Sequence, residues 1–149
     1  MKKFKRASCL LGAAALLSVG FASATPQVTV NFKNNTPQDA VYVPGSSRNE
    51  STTYANASPK PAAVRAGMGE SYIVRATGSS PITYAMVTYK SGTRSCRFTT
   101  RYLMNVSLGG VRTPKWNKSA VSSGGAKCDI TITSVNYSTH DWNVDLIMR

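Results

Sequence analysis

After residue 24 the apolar residues come in short runs rich in β-branched and aromatic side chains, and Gly, Pro, Asn or Ser cuts each run off within a few residues. That pattern selects strands and leaves little room for helix. Val28-Thr-Val-Asn-Phe32 alternates at period two, which sets Val28, Val30 and Phe32 on one face of a half-buried strand. Ala40 to Val43 reads as a second, short strand closed by Pro44-Gly45. Ser71 to Ala76 and Tyr84 to Tyr89 read as a pair of neighbouring strands. In Cys96-Arg-Phe-Thr-Thr-Arg-Tyr102 the alternation sorts chemistry as well: Cys96, Phe98 and Tyr102 share one face, and Arg97, Thr99 and Arg101 share the other. Ile130 to Val135 and Val144 to Met148 complete the series.

The intervening stretches are poorer in signal. Ser46 to Gly69 is rich in Ser, Thr, Asn, Ala and Pro and reads as a long loop with one short strand near Ser51 to Ala55. Leu103 to Lys127 carries Gly109-Gly110, Pro114 and Gly124-Gly125, and reads as a loop or a pair of short edge strands. No segment offers an amphipathic helix. The expectation is an all-β chain, an antiparallel two-sheet β-sandwich of about seven strands, with a small β-barrel as the alternative.

The first residues read as a leader. Lys2, Lys3, Lys5 and Arg6 precede an apolar run from Leu10 to Phe21, followed by Ala22-Ser23-Ala24, the small-x-small pattern of a signal-peptidase site. The run is shorter than the roughly 20 apolar residues that span a bilayer. Residues 1–24 are therefore expected to be a signal peptide, and 25–149 a single secreted or periplasmic domain without a transmembrane segment. Cys9 leaves with the leader, and the remaining pair, Cys96 and Cys128, is expected to form a disulfide in an oxidising compartment. A metal or redox role would need further ligands, and His140 is the only histidine.

Charge is segregated along the chain. Lys90, Arg94, Arg97, Arg101, Arg112, Lys115, Lys118 and Lys127 lie in a stretch without Asp or Glu, and acids balance bases in the rest of the chain beyond residue 24. Such a segment gives one part of the surface a positive potential that steers anionic partners. Phe98, Tyr102 and Trp116 are interleaved with these charges. Basic side chains beside an interfacial Trp suit phospholipid headgroups, lipopolysaccharide, acidic polysaccharide or an acidic protein and, behind these, nucleic acid. The candidate binding residues are Arg97, Arg101, Arg112, Lys115, Trp116 and Lys118. The competing reading makes Phe98 and Tyr102 core, has Trp116 cap the end of the sandwich, and leaves the charges only to keep the protein dissolved.

Catalytic signatures are lacking. Ser138-Thr-His-Asp141 puts hydroxyl, imidazole and carboxylate in one segment, but adjacent residues of extended chain point to opposite faces, so Asp141 is badly placed to orient His140. The six carboxylates fall in no motif, and the sequence has no P-loop, nucleophile elbow, zincin helix or EF-hand loop. The expectation is a non-enzymatic binding protein that needs no cofactor and no metal. A membrane-active toxin or a small hydrolase is the alternative.

Overall fold

The computed structural model describes residues 25–45, 47–76 and 82–149. Residues 1–24, where the signal peptide is expected, lie outside the described residues. In chain order the elements are β1 (Gln27–Asn34), β2 (Val41–Tyr42), α1 (Arg48–Asn56), β3 (Ala57–Ser58), β4 (Gly69–Arg75), β5 (Ile82–Ser91), β6 (Arg94–Val106), β7 (Arg112–Ser123), β8 (Cys128–Val135) and β9 (Trp142–Met148). The strands form a five-stranded sheet in the order β3-β4-β1-β9-β8 and a four-stranded sheet in the order β2-β5-β6-β7.

The period-two residues of both sheets fill one core. Val28, Val30 and Phe32 meet Tyr72 and Val74 of β4 and Val144, Leu146 and Met148 of β9, while Val87, Tyr89, Phe98 and Tyr102 face them from the other sheet. Phe32 stacks on Tyr89 with ring centroids 3.6 Å apart, and Trp142 Nε1 donates across the interior to Thr100 Oγ1 at 2.9 Å. Cys96 of β6 and Cys128 of β8 are bonded across the layers, with Cα atoms 5.6 Å apart. The arrangement is sandwich-like, and among the described residues the sheets do not close into a barrel.

The structure corrects several sequence-based expectations. The described residues form nine strands rather than about seven, and the fold is not wholly antiparallel, because β1 runs parallel to β9 with Val30 opposite Val144. Ser71 to Ala76 and Tyr84 to Tyr89 do not pair with each other; the first falls in β4 and the second in β5, in different sheets. The stretch read as a strand near Ser51 to Ala55 is helix α1. Ser47 is its N-cap and accepts from Glu50 N at 3.3 Å, and Lys60 Nζ donates to the C-terminal carbonyls of Tyr54 and Ala55. Thr53 Oγ1 of this helix accepts from Met86 N at 3.0 Å, so α1 satisfies a stretch of β5 that the two-residue β2 is too short to cover. Leu103 to Lys127 is neither a loop nor short strands: β6 runs on to Val106 and β7 spans 12 residues. Pro114 is tolerated because β7 is the outer strand of its sheet.

Strand direction gives the sandwich two unlike ends. One, the disulfide end, gathers the Gly92-Thr93 turn, the Gly124 to Lys127 connection and residues 35–40. The other, the hairpin end, gathers the start of β1, the β6–β7 turn and the connection from β8 to β9.

Candidate functional site

The register of β6 on β7 decides where the six candidate residues point. Arg97 pairs with Val121, Arg101 with Asn117 and Leu103 with Lys115, which places Arg97, Arg101 and Lys115 on the outer face of the four-stranded sheet. Tyr102 pairs with Trp116, Thr100 with Lys118 and Val106 with Arg112, so the other three residues alternate to the inner side. The six candidates therefore do not form one stripe. The expected division within β6 itself is present: Cys96, Phe98 and Tyr102 are buried, and Arg97 and Arg101 are exposed.

Arg97 has a structural partner. Its Nε lies 3.2 Å from Glu50 Oε1, and Glu50, although fully buried on α1, also accepts from Thr88 Oγ1 at 2.5 Å. The fold thus brings a carboxylate from outside the basic stretch onto its first outward arginine. A carboxylate removed from water requires such partners, and Arg97 with Thr88 supplies them. Lys118 is engaged too: its Nζ donates to Ile130 O at 2.7 Å, joining the neighbouring edges of the two sheets.

Arg101, Arg112 and Lys115 are placed differently. All three are exposed, and neither ion pair among the described residues, Arg97–Glu50 or Arg149–Asp129, takes any of them. Arg101, with Met86, Thr99, Asn117, Lys118 and Ser119, lines an open depression of about 480 Å³. Arg112 and Lys115 lie further along, toward the hairpin end.

At that end Trp116 is half-buried in an aromatic group that sequence reading left incomplete. It packs on Tyr102 at 5.6 Å and edge-on to Tyr137 at 5.4 Å, and its Nε1 donates to the His140 carbonyl at 3.3 Å. The His140 ring stacks on Tyr102 at 5.0 Å, and Asp141 Oδ1 accepts from Gln27 N at 2.8 Å. Neighbouring in sequence, imidazole and carboxylate are held to different partners. Tyr137 and His140 lie in the connection from β8 to β9; their signal was the aromatic residue in a connection too short to bury it.

Among the described residues no three His, Cys, Asp or Glu side chains stand together as a metal site would require. None of the described helices is long and apolar enough to cross a membrane. No protein-family model matches the chain, and no curated protein matches it either.

Proposed function

We propose that this is a secreted or periplasmic, non-enzymatic binding protein that holds an anionic surface or acidic partner through the β6–β7 hairpin. The observation that supports the reading is the placement of Arg101, Arg112 and Lys115, exposed and outside any ion pair of the described residues, on two strands that contain no acidic residue. Trp116 adds an aromatic anchor next to them. Lipid headgroups, lipopolysaccharide and acidic polysaccharide share the ligand chemistry that such a surface takes: several negative oxygens at low curvature, met by cations that pair without deep burial. Arg97 and Lys118 drop to supporting roles, because each already holds a protein partner.

The test is a salt titration of binding to immobilised heparin, a polyanion with no apolar component. Exposed charges act through screened Coulomb forces, and the Debye length falls to roughly 10 Å at 0.1 M salt. Arg101→Glu with Lys115→Glu should weaken retention and flatten its salt dependence. Arg94→Glu with Lys127→Glu, drawn from the same basic stretch but placed toward the disulfide end, should matter much less. Equal losses from both pairs would mean that overall charge alone is at work, and the localised site would fall.

A further inference from the structure

The β6–β7 hairpin carries a second feature that charge does not explain. The pairing of β5 with β6 begins at Ile82 opposite Leu103, so among the described residues Met104 to Val106 and Arg112 to Pro114 pair with each other alone, as a ribbon extending past the described part of β5. Its turn runs through Ser107-Leu108-Gly109-Gly110, closed by Gly110 N donating to Ser107 O at 3.0 Å, with both glycines at positive φ. Leu108 is wholly exposed, and Val106 and Val111 are 59% and 60% exposed. Three large aliphatic side chains at one tip are a local apolar excess that a folded protein seldom presents to water without use.

We infer that this tip enters the interfacial region of an anionic lipid bilayer, with Leu108, Val106 and Val111 going in below the headgroups and Arg112 and Lys115 held at the phosphates. The inference rests on the proposed function and chooses the ligand within it. Three arguments select a bilayer over a soluble polyanion. Sugar sulfates and nucleic-acid phosphates offer nothing apolar to a leucine, whereas a bilayer sets acyl chain directly beneath phosphate. Among the described residues the ribbon reaches past Ile82 by three residue pairs, about 10 Å at 3.3 Å per residue, and interfacial elements bury their apolar faces about 5–10 Å deep. The neighbouring side chains follow the same depth order: Arg112 directly after Val111, then Lys115, then the amphipathic rings of Trp116 and Tyr137, which belong at headgroup level. The single carboxylate at this end, Asp141, is engaged by Gln27 N.

The purified protein is sedimented with phosphatidylcholine–phosphatidylglycerol vesicles and with pure phosphatidylcholine vesicles, and passed over heparin, as wild type and as the charge-neutral Leu108→Ser with Val111→Ser. Wild type should bind the anionic vesicles. The tip variant should bind them about tenfold or more weakly, keep its heparin retention and keep its melting temperature. Vesicle binding by the tip variant equal to wild type would overturn the insertion and leave the anionic-surface reading intact. Retention on heparin without binding to either vesicle would overturn the bilayer as ligand and again spare that reading, and indifference to all three would remove both. If the tip variant melts lower, Leu108→Cys carrying an environment-sensitive fluorophore replaces it. Its emission must shift to the blue on anionic vesicles, and an unshifted spectrum on bound protein would overturn the insertion.

Discussion

The disulfide end and the hairpin end are built from the same strands, yet their polar groups are used in opposite ways. At the disulfide end the buried Asn34 side chain donates to Gln38 O at 2.8 Å and Val64 O at 2.9 Å and accepts from the Thr36 hydroxyl at 2.7 Å, which in turn meets Ser91. Lys127 and Arg149 exchange backbone hydrogen bonds, and a Cβ on Gly124 would meet Thr93 O at 1.8 Å. Polar groups there close on one another. At the hairpin end Arg112 and Lys115 are exposed, and the apolar side chains of the turn stand largely in solvent. The chain satisfies its own polar groups at one end, and the proposed binding surface lies at the other, where it does not.

The largest test of this contrast is the staple. Replacing Cys96 and Cys128 together by serine should cost about 3–4 kcal/mol by the loop-entropy account, and lower the melting temperature by about 10 °C or more. Calorimetry of the variant checks it, and a melting temperature within a degree or two of wild type would show that the disulfide end is held by other means. Next comes Asn34→Ala, which strips partners from several buried groups at once and should cost about 2–4 kcal/mol in urea unfolding. Leu108→Ser at the other end should stay within about 0.5 kcal/mol. Similar costs at the two positions would erase the distinction.

The smallest effect is conditional on pH. Burial pushes the hydroxyls of Tyr72 and Tyr89 well above the ordinary tyrosine range, and burial, with Glu50 nearby, raises Tyr42 to about 12. Tyr89 also donates to Glu70 at 2.6 Å and meets Tyr72 at 3.1 Å. Since the folded values lie above the unfolded one, their contribution is complete below about pH 10 and is lost as pH climbs past it, when the unfolded chain releases protons that the folded chain keeps. Melting temperature should be insensitive to these groups near neutrality and fall between about pH 10 and 12, with tyrosinate absorbance from the buried rings appearing only on unfolding. Early, complete ionisation in the folded protein would contradict it.

Much of the fold was legible because burial imposes period two. Cys96, Phe98 and Tyr102 against Arg97 and Arg101 is a local pattern, and the structure keeps it. Helix α1 was missed because Arg48-Asn-Glu-Ser-Thr-Thr-Tyr-Ala-Asn56 has poor helix propensity and little apolar periodicity, so its stability comes from Ser47, Glu50, Thr53 and the strand beneath. One signal was there: Ser47-x-x-Glu50 has the spacing of a capping box. Strand β7 was read as loop or short edge strand because Gly and Pro count against a long one; its place at an edge was within that reading and its 12-residue length was not. The candidate site was half legible. Linear charge located the hairpin, but the assignment of Arg101 and Lys115 to one side and Arg112, Trp116 and Lys118 to the other needs the register, and the Arg97–Glu50 pair joins residues 47 apart. The apolar tip was visible as letters, and only the structure shows its side chains exposed at the end of a hairpin.

The parallel pairing of β1 with β9 has a temporal side. β1 lies in the middle of its sheet, yet one of its two neighbours is supplied by residues more than a hundred positions later, as in the Asn31–Asp145 hydrogen bond with a separation of 114. During synthesis the first strand must wait, one edge unpaired, until Trp142–Met148 has emerged. A contact of such long order delays closure of the sheet, and it makes the waiting edge of β1 the place most open to pairing with another strand before the fold is complete.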